Sequence, residues 1–190
     1  RKPLILIPTT AGTGSEVTPI SIVTTGKSEK MGVVSSVILP DMAILDPELT
    51  LKLPSHITAA TGIDAIVHAI EAYASKSKNN NPISKALAKK ALALMGLSLV
   101  KAVQNGEDIK ARSDMLLGSM LAGQSFANSP VAAVHALAYP IGGHFKVPHG
   151  LSNALVLPHV IRFNSITNPQ SYAEISSILF PDLKEMNLQE

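Results

Sequence analysis

The sequence predicts an α/β segment of about 50 residues followed by an all-α domain of the helix-bundle type. Before Pro54, short apolar runs are bounded by Gly, Pro, Ser or Asp, a pattern typical of short strands and turns. From Ser55 onward, apolar residues recur at spacings of three and four, and Ala and Leu dominate, as in packed helices. With 46% hydrophobic and 16% charged residues, this chain of 190 residues has the composition of a folded protein.

Short strands are expected in the first segment. Residues 4–7 form a continuous apolar run, which is typical of a strand covered on both faces. The other strand-like runs are residues 18–24, 31–34 and 42–45. Residues 9–15 form a loop of Thr, Ala, Gly and Ser, whose backbone N–H groups and hydroxyls either face a cofactor or form a solvated turn.

The second segment is expected to be helical throughout. Helices are predicted over residues 57–60, 65–74, 83–103, 108–122 and 131–137. Residues 76–82 and 104–106 are rich in turn-forming side chains and should separate successive helices.

Composition excludes several classes of protein. The formal net charge is only +2, aromatic residues make up 4%, and there is no Trp, which argues against a nucleic-acid partner. The absence of Cys excludes disulfides, thiolate zinc sites and iron–sulfur clusters ligated by cysteine. No apolar run reaches the ~18 residues of a membrane span, and the start does not read as a signal peptide. We therefore expect a cytoplasmic protein with no membrane partner.

Four polar residues stand out from their apolar surroundings. Asp64 and His68 lie four residues apart, so they share a face of a helix whose neighbours are apolar. A buried carboxylate costs several kcal/mol unless it is paired or binds a metal. His135 is expected in a helix and His149 in a turn. One carboxylate and three imidazoles suit Fe(II) or Zn(II). An ordinary surface pair and two satisfied histidines are the alternative.

Several motifs in order resemble the iron-containing (group III) alcohol dehydrogenase family. They are PTTAGTGSEVT at 8–18, ATGIDAIVHAIE at 60–71, VHALAYPIGG at 134–143 and PHGLSNA at 148–154. The resemblance covers nearly the whole chain, and it implies that Asp64, His68, His135 and His149 bind the catalytic metal. Tyr139 departs from the family pattern, because many members have another His at that position.

The resemblance also implies a domain organisation. Residues 1–53 would be the end of a Rossmann-like dinucleotide-binding domain, and residues 54–190 an incomplete helical domain that binds the metal and carries out catalysis. A Gly-Gly-Gly-Ser-type loop for the cofactor pyrophosphate does not occur in the sequence. We therefore expect the middle part of such an enzyme, and we expect the isolated chain to be inactive.

The activity implied by the resemblance is hydride transfer between NAD or NADP and an alcohol, aldehyde or ketone. A divalent metal, Fe(II) with Zn(II) as the alternative, would act as a Lewis acid on the substrate oxygen. The implied cofactor-binding residues are Thr9, Thr10, Ala11, Gly12, Thr13, Thr18 and Lys30. His144 lies five residues before His149, and we expect it to relay protons, with an ordinary loop histidine as the alternative. The expected partners are a small alcohol or carbonyl substrate and further copies of the chain in a homo-oligomer.

Two competing interpretations stay open at this point. The first is a zinc-dependent glycerol dehydrogenase or a dehydroquinate synthase, enzymes of related fold that generally show fewer histidines at the metal. The second is a truncated, non-catalytic fragment that retains the metal site but lacks half of the cofactor site.

Overall fold

Short strands precede a set of longer helices, as the sequence predicts. The computed structural model describes residues 1–26 and 29–181, with the side chains of residues 29 and 30 left out. The described strands are β1 (Ile5–Leu6), β2 (Ile20–Thr25), β3 (Glu29–Val34) and β4 (Met42–Ala43). The described helices are α1 (Ser55–Ala74), α2 (Pro82–Gln104), α3 (Ile109–Asn128), α4 (Ala133–Phe145), α5 (His149–Ser165) and α6 (Pro169–Leu179).

The strands form two separate two-stranded sheets. β1 pairs with β4 in parallel, and β2 pairs with β3 in antiparallel register, with Ile22 opposite Gly32. Ile5 is 51% and Ile7 49% exposed, so the expectation that residues 4–7 are covered on both faces is wrong for this chain. The reason is that β4 is the only described strand beside β1, and no described element covers these two side chains.

Local side chains explain where two of the helices begin. Asn81 precedes α2, and its side chain accepts hydrogen bonds from the backbone N–H groups of Ile83 and Ser84, while Pro82 occupies the first turn. Asp108 precedes α3 and accepts a hydrogen bond from Ala111. Both residues satisfy N–H groups that a helix start otherwise leaves without partners.

The helices differ from the expectations mainly at their boundaries. The two helices expected at 57–60 and 65–74 are one continuous helix, α1. The helix expected to end at residue 137 continues through Pro140 to Phe145. His149 begins α5 rather than lying in a turn, because the carbonyl of Pro148 accepts a hydrogen bond from Ser152 and starts the helical ladder.

Helix α1 lies at the centre of the packing. On one side it packs with α2 and α3 around Leu92, Met95 and Met115, which are almost fully buried. On the other side, Val67 of α1 packs with Val134 of α4 and with two valines of α5. In the described ranges, no helix combines the length and the apolar character needed to cross a membrane.

Candidate metal centre

Helix α1 presents three ionisable side chains on one buried face. Asp64, His68 and Glu71 follow one another at spacings of four and three residues, and all three are buried. Nearly every residue of this stretch of α1 is buried, so these three side chains lie against other parts of the protein rather than in bulk solvent. A buried group of this kind requires partners, and they come from α4 and α5.

Helices α4 and α5 bring the other two predicted histidines to Asp64. Nε2 of His135 lies 3.6 Å and Nε2 of His149 3.5 Å from Oδ1 of Asp64. The rings of His68 and His135 stack with centroids 4.6 Å apart. One ligand atom from each of Asp64, His68 and His135 lies within 4.8 Å of the other two. The four residues singled out in the sequence therefore share one site.

The loop of residues 9–15 orients His68. Nδ1 of His68 lies 3.2 Å from the carbonyl oxygen of Gly12, and a carbonyl can only accept, so Nδ1 carries the proton. A Cβ atom at Gly12 would lie 2.8 Å from Cβ of Thr61 on α1, so a side chain there would push the loop away. With its proton on Nδ1, His68 keeps the lone pair of Nε2 for a ligand.

Two further residues complete the site, and neither was predicted from the sequence. Glu71 accepts a hydrogen bond from Nδ1 of His135 at 2.7 Å. Nδ2 of Asn153 donates to Oδ1 of Asp64 at 2.6 Å and lies 3.2 Å from Nε2 of His135. Their spacing was a usable signal of their location, because Glu71 lies seven residues, or about two helical turns, after Asp64, and Asn153 lies four residues after His149.

The neighbouring charges shift the pKa values of the site in opposite directions. Burial lowers the pKa of His68 to about 4, so its ring is neutral. Burial would also lower the pKa of His135, but the carboxylates of Asp64 and Glu71 outweigh it and raise that pKa to about 9. Burial would raise the pKa of Asp64, yet the facing imidazoles lower it below its ordinary value. Asp64 is therefore ionised at neutral pH.

The donor set fits a divalent cation. It offers a carboxylate oxygen and imidazole nitrogens, with no thiolate, which is the chemistry of Fe(II) and Zn(II) sites. Within the described part of the chain, Oδ1 of Asn153 is buried without a hydrogen-bond partner, beside these donors. An unsatisfied buried oxygen is costly, and a cation or a water held by one would satisfy it.

The cluster opens into a cavity of about 660 Å³. All four predicted metal ligands line it, together with Thr13 and Thr18 among the predicted cofactor residues. Its apolar walls include Ile20, Ile22, Val34 and Phe126. Tyr139 also lines the cavity, and its ring stacks on His149 with centroids 5.9 Å apart and planes inclined by 12°.

The other predicted site residues lie elsewhere. Thr9, Thr10 and Ala11 are not among the residues that line this cavity, and Ala11 packs against the helical core. Gly12 acts through its carbonyl, as described above. The side chain of Lys30 lies outside the described residues. His144 is exposed in the last turn of α4 and does not line the cavity, so its proton relay stays a prediction.

Family profiles match both parts of the chain. Residues 58–190 match the profile described as "Fe-containing alcohol dehydrogenase family, C-terminal", and residues 1–47 match the one described as "Iron-containing alcohol dehydrogenase".

Curated relatives and solved structures of the same kind are similar over most of the chain. It is 51% identical to long-chain-alcohol dehydrogenase 1 of Geobacillus thermodenitrificans, covering 93% of this chain and 44% of that protein. It is 43% identical to the NAD-dependent methanol dehydrogenase of Bacillus methanolicus, covering 93% and 46% of the two chains. A crystal structure of 1,3-propanediol oxidoreductase superimposes with a TM-score of 0.92 at 41% identity, covering 98% and 48%. The chain therefore spans a little under half the length of these relatives.

Proposed function

Because the chain belongs to the iron-containing alcohol dehydrogenase family, we propose that it supplies the metal centre and the cavity of an alcohol oxidoreductase. The proposed reaction moves a hydride from the carbinol carbon of an alcohol to NAD or NADP, and the hydroxyl proton leaves to solvent. In reverse, the nicotinamide returns the hydride to an aldehyde or ketone.

One observation carries this proposal, namely the meeting of Asp64, His68, His135 and His149 at the wall of one cavity. These residues come from three different helices and span 86 positions of the sequence (149 − 64 + 1). Three helices that are distant in sequence therefore bring these side chains together, although burial of the Asp64 carboxylate is by itself unfavourable.

The four residues would hold a divalent metal, which supplies Lewis acidity toward a substrate oxygen when bound. Asp64 contributes the negative charge, while the imidazoles contribute none in their metal-binding form. His68 and His135 are buried, whereas the side chain of His149 is 36% exposed. The substrate is therefore expected to enter on the side of His149.

The walls of the cavity fit a small organic alcohol. Ile20, Ile22 and Phe126 offer apolar surface for its carbon chain and keep water away from the transferred hydride. Thr13 and Thr18 present hydroxyl side chains to the same space and are the proposed contacts for the nicotinamide cofactor. NAD is the proposed cofactor because a relative at 43% identity is named an NAD-dependent methanol dehydrogenase.

Metal analysis of the purified chain tests the proposal. Loaded anaerobically with Fe(II), or with Zn(II) in a parallel sample, the chain should hold about one ion per molecule. Asp64→Asn removes the only negative charge among the four ligands, and His149→Ala removes a nitrogen donor. Each change should lower metal affinity by at least the ~10-fold that loss of an outer partner costs.

Matched variants separate this effect from general damage. His56→Ala changes an exposed histidine on the same helix α1, and Asp114→Asn changes a carboxylate that pairs with Lys110 on α3. Both should bind metal like the wild type. Equal metal content in wild type, Asp64→Asn and His149→Ala at limiting metal would contradict the proposed site.

A further inference from the structure

Glu71 is a buried carboxylate whose two oxygens both accept hydrogen bonds. Oε1 accepts a hydrogen bond from the backbone N–H of Val134 at 2.7 Å. Oε2 accepts one from the backbone N–H of Ala132 at 2.9 Å and another from Nδ1 of His135 at 2.7 Å. Both oxygens thus have donors, and all three donors lie at the start of α4.

These contacts determine which nitrogen of His135 is available. A carboxylate accepts hydrogen bonds and does not donate them when ionised, so Nδ1 of His135 must carry a proton. Nε2 then points toward Asp64, 3.6 Å away, where a metal would take its lone pair. The neighbouring ligand His68 is held in the same way, but by the neutral carbonyl of Gly12.

The start of α4 depends on the same carboxylate. Ala132 precedes this helix and has no side chain that can accept from its first N–H groups. Glu71, from α1, takes the place of a local cap by binding the N–H groups of Ala132 and Val134. A negative charge at a helix N-terminus is also favourable to the helix dipole. One side chain therefore both begins the helix and orients the ligand that the helix carries.

We propose that Glu71 is a positioning residue of the metal site, which fixes His135 with its proton on Nδ1 and fastens the start of α4 to α1. This inference rests on the proposed metal-binding function. It predicts that Glu71 affects metal binding through His135 without being a ligand itself. It also predicts that metal affinity depends on the negative charge of the Glu71 carboxylate as well as on its shape.

The substitution Glu71→Gln isolates this effect. With its amide oxygen toward Val134, this variant still accepts from that N–H of α4, but its amide group would face the N–H of Ala132 and Nδ1 of His135 and favour the ring form with the proton on Nε2. That form cannot bind a metal through Nε2. We expect zinc affinity, measured by competition with a chelator, to fall about 10- to 100-fold. In a His135→Ala background, the same substitution should change zinc affinity little, because the residue through which Glu71 acts is gone.

Glu16→Gln is the matched control. Glu16 is also buried, but no hydrogen bond described in the structure joins it to a metal ligand, so its loss of charge should leave zinc affinity unchanged. An equal fall in the wild-type and His135→Ala backgrounds would indicate general damage and overturn the inference. Unchanged zinc affinity in Glu71→Gln would overturn the inference as well, but it would not contradict the proposed metal site. If the wild type binds no zinc, the proposed metal site fails, and the inference fails with it.

A nitrogen NMR measurement on the zinc-loaded wild type needs no substitution, so it decides the question even if Glu71→Gln fails to fold. The inference predicts that His135 shows a protonated, hydrogen-bonded Nδ1 and a metal-bound Nε2. Zinc bound through Nδ1, or an Nδ1 without a proton, would overturn it.

Discussion

His68 and His135 stack face to face, yet their pKa values move in opposite directions. Burial dominates at His68, whose Nδ1 meets only a neutral carbonyl, and it lowers the pKa to about 4. At His135 the two carboxylates outweigh burial and raise the pKa to about 9. Because both rings are buried, the charge of the partner at Nδ1, rather than depth, accounts for the difference between them.

These opposite shifts predict a maximum in the stability of the metal-free chain near pH 6.5. Between pH 6.5 and 4 the unfolded state protonates His68 and the folded state does not, so stability falls as pH falls. Between pH 6.5 and 9 the folded state keeps the proton of His135, so stability falls as pH rises. Each slope is at most about 1.4 kcal/mol per pH unit. Urea unfolding across this range measures both.

The variant His68→Gln tests whether His68 causes the fall in stability below pH 6.5. Its amide does not titrate, so the fall between pH 6.5 and 4 should flatten while the alkaline side stays. Asp64 and Glu71 have lowered pKa values, so they lose their stabilising effect only as pH falls through and below their ordinary pKa values of 3.8 and 4.5. An unchanged acid slope in His68→Gln would show that another group causes it.

At this scale the sequence could predict the ligands, but not what Glu71 and Asn153 do for them. Asp64, His68, His135 and His149 stood out because polar groups in apolar surroundings require a chemical reason. The role of Glu71 could not be predicted, since it depends on residues 61 to 64 positions away in the sequence. The role of Asn153 likewise depends on its hydrogen bond to Asp64, which lies 89 positions away in the sequence. Contacts of this separation follow from tertiary packing, which a local pattern does not encode.

At the scale of elements, helical periodicity predicted where helices lie but not where they end. Residues 61–64, which lie between the helical stretches expected at 57–60 and 65–74, belong to the same helix, and the hydroxyl of Thr61 donates a hydrogen bond to the carbonyl of Ile57 within it. Gly62 lies within α1, and a Cβ atom at this position would lie 2.4 Å from Cδ1 of Leu99 and 2.9 Å from Cε of Met115. The small residues that weaken a helix locally are those that let neighbouring helices pack closely against α1.

The close contact between α5 and α1 gives a prediction at this scale. A Cβ atom at Gly150 would lie 2.0 Å from the carbonyl oxygen of Ala60. This oxygen belongs to the backbone, so no side-chain rotation can relieve the clash. Gly150→Ala should therefore displace the start of α5 and with it His149. We expect a loss of about 1–3 kcal/mol in the free energy of unfolding, and weaker metal binding.

Gly142→Ala is the control for that substitution. Its Cβ atom would lie 3.4 Å from the carbonyl oxygen of Val147, which is ordinary contact, and the position is helical. It should unfold at nearly the urea concentration of the wild type. Equal urea midpoints and equal metal affinity for Gly150→Ala and the wild type would show that α5 does not depend on this contact.

For the whole molecule, burial is concentrated in the helices. The main core lies between α1, α2 and α3, whereas the strands expose large apolar side chains such as Val34, which is 71% exposed. Two-stranded sheets are only marginally stable on their own. Opening of the β2–β3 hairpin breaks no contact among the four proposed ligands, since none of them lies on these strands. The chain is therefore expected to open locally at the hairpin long before it unfolds globally.

Hydrogen exchange with and without zinc tests this uneven stability. Amides around Val67 in the middle of α1 should exchange only through global unfolding, and those of β2 much faster through local opening. Because zinc binds the folded state, a free concentration of 100 times the dissociation constant should raise the free energy of α1 opening by about 2.7 kcal/mol. The local opening of β2 leaves the ligands assembled, so its exchange should not slow. Equal slowing of β2 and α1 would show that the hairpin and the metal centre open as one unit.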